Sequence, residues 1–184
     1  MSIETYICVD VETAGPTPGQ YALLSIGACL TDDLAAAFYI ELQPDLPAAL
    51  PEALAISGLS PEELARTGRE PREALLAFEA WLNGVVPAGS RPVFVALNAP
   101  FDWMFVADYF QRYLGRNPFG HSALDIKALY MGAAAVAWGE TSMKAISTRL
   151  LGAEKRLVHN ALQDARDQAD IFNAVLKHSR AARR

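Results

Sequence analysis

Short apolar runs in the first part of the chain predict β-strands. Tyr6–Val11 and Leu23–Leu30 are rich in Ile, Val and Leu, and Ala37–Leu42 alternates apolar with polar residues. Pro92–Leu97 and Ser122–Leu124 are further short strand candidates. The sequence therefore predicts five strands, of which the first three are consecutive.

Helical spacing replaces the strand pattern after Pro44. The predicted helices start with a proline, a capping residue or an apolar stripe. They begin at Pro61, Pro71, Ala99 and Ile126 and after the capping residues Thr141 and Asn160. The helix from Ala99 runs to Leu114, and the last helix reaches about His178. Strands followed by strand–helix alternation predict a single α/β domain with a mixed central β-sheet flanked by helices.

Composition and charge add four expectations. The 184 residues contain no repeat, linker or low-complexity segment, so we expect one domain over residues 1–184. Cys8 and Cys29 are too few for a disulfide framework and are expected to be reduced, buried thiols. Without a basic, apolar leader or a run of about 18 apolar residues, we expect a cytoplasmic protein that makes no membrane contact. The net charge of −5 argues against a broad basic surface for nucleic acid.

Two carboxylates stand at the end of the first predicted strand. Because strand side chains alternate, Asp10 and Glu12 point to one face, while Val9 and Val11 point to the other. The two acids lie about 7 Å apart along the strand. They repel each other unless a cation lies between them. The alternative is a solvated turn at the strand end.

A third acid lies on an apolar helix face. Asp102 shares its helical stripe with Phe105, Val106 and Tyr109, whereas Asp108 falls on the polar side of the same helix. A buried carboxylate needs a partner or a metal. The alternative is an acid that is favoured by the helix dipole in the first turn.

A fourth acid follows a histidine near the end of the chain. Asn160 and Gln163 resemble a capping box, which leaves His159 just outside the last helix and Asp164 one turn into it. Asp164 lies near the apolar stripe of that helix and is expected to face inward. The alternative for His159 is a structural role.

The combination is more informative than its parts. The acids Asp10, Glu12, Asp102 and Asp164 all point towards the interior, and four like charges in one pocket demand neutralisation. Oxygen-only ligands favour two divalent cations, Mg²⁺ or Mn²⁺. Two such ions about 3.5 to 4 Å apart stabilise the attacking and leaving oxygens of displacement at phosphorus. His159 could then take a proton from the attacking water.

Three motifs resemble those of the DnaQ-like, DEDDh group of 3′-to-5′ exonucleases, which includes RNase T, oligoribonuclease and proofreading exonuclease domains. They are Asp10-x-Glu12-Thr13, Asn98-Ala99-x-Phe101-Asp102 and His159-x4-Asp164-Ala165. The resemblance covers nearly the whole chain. It implies an RNase H-like fold, two Mg²⁺ or Mn²⁺ ions held by the four acids, and His159 as general base.

The resemblance also implies a substrate, which is the 3′ end of single-stranded DNA or RNA shortened by one nucleoside 5′-monophosphate at a time. Thr13, Asn98 and Phe101 are implied to bind the terminal nucleotide. Trp103 is expected to be a core residue. Many family members have His where this chain has Leu97 and Thr where it has Ala14. These differences bear on substrate preference and rate.

Two alternatives stay open at this point. An aspartate-nucleophile phosphatase would use Asp10, but it gives His159 no role and generally carries Asp rather than Glu two residues on. A non-catalytic module would bind nucleic acid or a polymerase without cleaving. The motifs select neither DNA nor RNA, neither proofreading nor RNA trimming nor oligonucleotide clearance, and neither a homodimer nor a polymerase complex. Two bound divalent cations would nearly cancel the negative charge, so an acidic chain remains compatible with nucleic acid.

Overall fold

The computed structural model describes residues 3–181, which form a five-stranded mixed sheet with helices packed on it. The strands are β1 (Ile3–Thr13), β2 (Leu23–Leu30), β3 (Ala37–Glu41), β4 (Ser90–Ala96) and β5 (Ala123–Asp125). Their order in the sheet is β3-β2-β1-β4-β5. β2 is antiparallel to both of its neighbours, β1 and β3, and β4 runs parallel to both β1 and β5. The predicted mixed α/β architecture is confirmed.

Seven α-helices and one 3₁₀ helix lie within the described residues. They are α1 (Pro51–Ser57), α2 (Pro61–Thr67), α3 (Pro71–Val85), α4 (Ala99–Leu114), α5 (Ile126–Ala134), the 3₁₀ helix (Trp138–Glu140), α6 (Met143–Leu151) and α7 (Ala161–Ala181). The predicted starts of α2, α3, α4 and α5 agree with the structure, and α7 ends three residues beyond the predicted His178. Neither α1 nor the 3₁₀ helix was predicted as a separate element.

Two capping predictions were wrong in detail. Thr141 does not cap α6, because its hydroxyl donates to the carbonyl of Trp138 and closes the 3₁₀ helix. Ser142 is the cap, and its hydroxyl accepts from the Ala145 N–H at 3.2 Å. Asn160 does cap α7 by accepting from the Gln163 N–H at 3.1 Å. The Gln163 amide bonds to Asp167 instead of returning to Asn160, so the capping box is only half formed.

Both faces of the sheet are covered, and the alternation along β1 divides its side chains between two cores. Val9 and Val11 join the core that contains α3 and α4. Cys8 joins the opposite core, which contains α5, α6 and α7. Asp10 and Glu12 continue the face of Cys8, because the side chains of a strand repeat with a period of two. The face of β1 that turns towards α7 therefore changes from apolar to acidic as the strand ends.

A glycine permits the close approach of α7 to the sheet. Gly27 of β2 pairs with Asp10 in the β1–β2 register. A Cβ at Gly27 would lie 2.2 Å from the backbone carbon of Ala161 and the nitrogen of Leu162, closer than real atoms allow. The absence of a side chain at this position lets the first turn of α7 lie against the strand that flanks Asp10.

The two cysteines are free and buried, as the sequence predicted. They face each other across β1 and β2 in the register Cys8–Cys29. Burial raises the pKa of Cys29 to about 12, so this side chain is a thiol at neutral pH. None of the helices within residues 3–181 is both long enough and apolar enough to span a membrane.

Candidate active site

The four acids identified in the sequence converge on one cavity at the end of β1. They are Asp10 and Glu12 from β1, Asp102 from α4 and Asp164 from α7, and each is at most 9% exposed. The cavity has a volume of about 580 Å³. His159, Thr13, Asn98 and Phe101 line the same cavity. The structure therefore brings together all eight residues that the sequence singled out.

The first turn of α4 holds Asp102 against β1. Asp102 Oδ1 accepts from the Val11 N–H at 3.2 Å. Asn98, immediately before the helix, has a left-handed backbone with φ 71°. Asp125 Oδ1 fixes this turn by accepting from the N–H groups of Asn98 at 2.9 Å and Ala99 at 3.2 Å. Because Asp125 also caps α5, one carboxylate joins the starts of two helices beside the cavity.

Asp164 organises the loop that carries the histidine. Its two carboxylate oxygens accept from the N–H groups of Val158 at 2.9 Å and His159 at 2.8 Å. His159 has a left-handed backbone with φ 58° and an exposed side chain. Ligand atoms of Glu12, His159 and Asp164 lie within 4.8 Å of one another. The loop conformation therefore directs the imidazole to the mouth of the carboxylate cluster.

Gln168 positions Asp10, a role that the sequence did not reveal. Its Nε2 donates to Asp10 Oδ1 at 2.6 Å, and its Oε1 accepts from the Leu97 N–H at 2.7 Å. The amide thus joins α7, β1 and the segment between β4 and α4. Gln168 is buried on the apolar stripe of α7, and a polar residue on such a stripe is the signal that could have revealed it.

Burial raises the pKa of every acid in the cluster, and repulsion by neighbouring acids adds to the shift for Asp10, Glu12 and Asp102. Burial, followed by the charges of the other three acids, raises the pKa of Asp10 well above its usual range. Burial and Asp164 raise the pKa of Glu12 to about 7, and burial raises the pKa of Asp102 to about 8. Burial also raises the pKa of Asp164, although hydrogen bonds from Val158 and His159 oppose the shift.

This donor set fits divalent cations that prefer oxygen ligands. The four carboxylates offer eight oxygens, and hydrogen bonds from the described residues occupy only some of them. Among the described residues that line the cavity, Lys127 is the only lysine or arginine. Hard cations such as Mg²⁺ and Mn²⁺ bind through carboxylate oxygens and retain some of their water. A bound cation would stabilise the ionised forms that burial disfavours.

The three predicted nucleotide-binding residues differ in how they are held. The Thr13 hydroxyl donates to the Gly15 carbonyl at 2.8 Å and thus fixes the turn after β1. The side chain of Asn98 makes no capping hydrogen bond with α4. Phe101 is half-buried, and its ring centroid lies 5.6 Å from that of Phe105. Phe101 and Asn98 therefore offer an aromatic surface and an amide to a ligand in the cavity.

The sequence did not predict the apolar wall on one side of the cavity. Leu50, Ala53 and Ile56 line it from α1 and its preceding residue, and Leu157 lines it from the loop before α7. Ile56 and Leu157 are exposed, so this wall presents apolar surface to solvent. Pro51 at the first turn of α1 and Gly58 at its end, with φ 68°, form a helix signature that could have revealed this element.

The structure also shows what surrounds Trp103 and the two positions that depart from the family pattern, Leu97 and Ala14. The Trp103 ring packs edge-on against Phe94 at 5.2 Å, which agrees with its predicted core role. Leu97 lines the cavity, and its N–H is held by Gln168. Ala14 is buried in a small apolar cluster with Ala22 and Leu24.

Comparisons with known proteins agree with the motifs. The RNase T exonuclease family profile matches residues 7–172. The chain is 43% identical over 176 residues to the 3′-5′ DNA exonuclease Cap18 of Escherichia coli, which covers 96% of this chain and 94% of the relative. It is 35% identical over 185 residues to ribonuclease T of Escherichia coli K12, which covers 92% of this chain and 83% of the relative.

A solved structure has the same fold. The nuclease domain of 3′hExo, a DEDDh family member bound to rAMP, superposes with a TM-score of 0.79. The alignment covers 95% of this chain and 92% of that chain, at 15% identity. The predicted RNase H-like fold of the DEDDh nucleases is therefore confirmed.

Proposed function

Because the chain belongs to the RNase T family of exonucleases, in its DEDDh group, we propose that it hydrolyses phosphodiester bonds at the 3′ end of single-stranded DNA or RNA and releases nucleoside 5′-monophosphates. The convergence of four buried carboxylates and His159 on one cavity carries this proposal. The relatives support both polymers, since one is named for DNA and the other is a ribonuclease.

Asp10, Glu12, Asp102 and Asp164 are the residues that would hold two divalent cations, Mg²⁺ or Mn²⁺. Two such ions supply positive charge to the attacking and leaving oxygens of an in-line displacement. Gln168 holds Asp10, and the Val11 N–H holds Asp102, so two of the ligands are oriented before a metal binds. Fixed ligands of this kind raise metal affinity because less side-chain freedom is lost on binding.

His159 acts as the general base in this proposal. Its imidazole lies at the cavity mouth, near Glu12 and Asp164 and in contact with solvent. A base in this position can take a proton from water and return it to bulk solvent. Asp164 supports the role by fixing the backbone of the residue that carries the imidazole.

The test is the shortening of 5′-labelled single-stranded DNA and RNA oligomers in Mg²⁺ or Mn²⁺. We expect a ladder of products that are shorter at the 3′ end, released mononucleotides, and no shortening by Asp10→Asn. Failure of the wild type to shorten either polymer, or equal shortening by Asp10→Asn, would contradict the proposal. Asp108→Asn, on the polar side of α4, is the matched control and should retain the wild-type rate.

A second variant tests the base. His159→Ala should lower the rate by about 10² to 10⁴, while calorimetry should still detect metal binding. A variant with the wild-type rate would remove His159 from the mechanism. The non-catalytic module is not favoured, because all five catalytic candidates share one cavity. The phosphatase is not favoured either, because the second acid, Glu12, lies beside His159 and Asp164 in a cluster that a phospho-aspartyl reaction leaves without a role.

A further inference from the structure

A lysine and an exposed tryptophan form a pair at the edge of the candidate active site. Lys127, in the first turn of α5, places its Nζ 4.3 Å from the centroid of the Trp138 ring. Trp138 belongs to the 3₁₀ helix and is 50% exposed. Lys127 lines the cavity, but Trp138 is not among its lining residues. The pair therefore extends from the cavity to the adjoining surface.

Lys127 is chemically unusual among the residues around the acids. It is the only described lysine or arginine that lines the cavity. Within residues 3–181, it forms no ion pair with a carboxylate; its ammonium group lies over an aromatic ring instead. A cation held this way keeps its N–H donors for an incoming anion, because an aromatic face attracts the charge without accepting a strong hydrogen bond.

The backbone of Lys127 is tied to the catalytic framework. Its N–H donates to Asp125 Oδ1 at 3.3 Å, and the same oxygen accepts from Asn98 and Ala99. The start of α5 is thus fixed relative to the start of α4, which carries Asp102. A phosphate bound by Lys127 would lie in a defined position relative to the carboxylates.

We propose that Lys127 and Trp138 form a binding subsite for the nucleotide upstream of the 3′-terminal one, with Lys127 on its phosphate and Trp138 stacked on its base. This inference rests on the proposed function. The cavity takes the terminal nucleotide, and Trp138 lies outside it, so a base that reaches the indole belongs to the preceding part of the strand. Aromatic stacking accepts any base and requires an unpaired one, which favours a single strand over a duplex.

The binding test uses Asp10→Asn protein in Mg²⁺, which prevents turnover, with a five-nucleotide single strand and a nucleoside 5′-monophosphate as probes. A further Trp138→Ala substitution should weaken binding of the oligomer about tenfold and leave binding of the monophosphate unchanged. Trp138→Phe, which keeps an aromatic ring, should recover most of the affinity. Trp138 is half-exposed, so these substitutions leave the core intact.

The lysine is tested by its salt dependence. One phosphate contact contributes about 0.7 to the slope of log affinity against log salt for a single strand. Lys127→Met should therefore reduce the slope by about 0.7 and weaken binding of the oligomer about fivefold at low salt. Lys177→Met is the matched control, because Lys177 is exposed near the end of α7 and does not line this cavity. It should change neither quantity.

Tryptophan fluorescence gives an independent readout. The chain has three tryptophans, and Trp81 and Trp103 are half-buried against the core. Quenching by the oligomer, absent with the monophosphate and lost in Trp138→Phe, would support stacking on Trp138. Quenching that persists in Trp138→Phe would contradict it.

Two results would overturn the subsite. Wild-type affinity for the oligomer in both Trp138→Ala and Lys127→Met would show that the pair only links α5 to the 3₁₀ helix. Equal weakening of the monophosphate would show that the pair acts on the terminal site or on folding. Failure of the proposed function is distinct, because in that case the unsubstituted protein would shorten no oligomer at all.

Discussion

Two polar clusters contact α4, one around Asp45 and one around Asp102, and the pKa values of these two acids shift in opposite directions. Asp45, in the loop after β3, has a side chain only 9% exposed and accepts hydrogen bonds from Tyr109, Tyr113 and Arg112 of this helix. Burial alone would raise the pKa of Asp45, but the hydroxyl and guanidinium donors lower it. At the other end of α4, burial raises the pKa of Asp102 to about 8.

The difference separates a carboxylate that the fold itself satisfies from one that we propose holds a cation. Asp45 has three side-chain donors within this fold, so its charge is satisfied before any ligand binds. Asp102 has a backbone N–H and three neighbouring acids, so its charge is satisfied only when a cation arrives. A strained cluster of this kind costs folding free energy and is typical of functional sites. Five predictions test the contrast, from the largest expected effect to the smallest.

Substitution of Asp102 and substitution of Asp45 should have opposite effects on the exonuclease rate and on the free energy of unfolding. Asp102→Asn should lower the exonuclease rate by about 10³, the scale of losing a group that stabilises transition-state charge. It should not lower the free energy of unfolding of the metal-free protein. The rate of 3′-end shortening and chemical denaturation of the same samples measure the two effects.

Asp45→Ala should lower the free energy of unfolding and leave the exonuclease rate nearly unchanged. It leaves the hydroxyls of Tyr109 and Tyr113 without their acceptor, removes one of the two carboxylates that bind Arg112, and should destabilise the protein by about 2 to 3 kcal/mol. At a temperature where the variant is folded, the rate should stay near that of the wild type. A variant as stable as the wild type, or one that is folded but inactive, would remove the distinction between the clusters.

Metal removal should lower stability through the cluster around Asp102 and not through Asp45. Addition of Mg²⁺ or Mn²⁺ at about 100 times its Kd should stabilise the wild type by about 2.7 kcal/mol, since only the folded state presents the four acids together. Thermal melts with and without a chelator measure this shift. Asp102→Asn should show a smaller shift, and Asp45→Ala should show the full one. Equal shifts in all three proteins would indicate metal binding elsewhere.

The positioning of Asp10 by Gln168 predicts a graded effect. Gln168→Leu removes the 2.6 Å hydrogen bond to Asp10 and should weaken metal binding about 10- to 100-fold, the usual cost of losing a group that orients a ligand. Calorimetric titration measures the affinity, and saturating metal should restore part of the rate. Gln163→Leu, on the exposed side of the same helix, is the matched control. Unchanged metal affinity in Gln168→Leu would contradict the positioning role.

The smallest effect is on the pH dependence of stability without metal. The pKa of Asp102 is about 8 in the folded protein and about 3.9 in an unfolded chain. Between these values the folded state binds the additional proton, so stability falls as pH rises. From pH 7 to pH 8 the wild type should lose about 1 kcal/mol relative to Asp102→Asn. The measurement is denaturation of both proteins in chelator, and bound Mg²⁺ should abolish the difference.

Local periodicity predicted much of the candidate site. Strand alternation put Asp10 and Glu12 on one face, and helical phase separated Asp102 from Asp108. The same reasoning turned Asp164 inward. These predictions succeeded because the direction of a side chain within one element depends only on a repeat of 2 or 3.6 residues.

Other parts of the site could not be predicted because they depend on contacts between distant residues. Gln168 lies 158 residues from Asp10, and Tyr109 lies 64 residues from Asp45. No local pattern distinguishes these partners from other polar residues. Lys127 was overlooked because a lysine in a first helical turn is ordinary until the cavity beside it is known.

By itself, the sequence determined the elements, the inward direction of the four acids and the family of the chain. Only the tertiary structure decided which carboxylates would be satisfied and which would remain in need of a cation. The reason is that the pKa of a carboxylate depends on the donors, charges and solvent around it, and parts of the chain that are far apart in sequence supply them. Asp45 and Asp102 are the same residue type near one helix, and their surroundings lower the pKa of one and raise the pKa of the other.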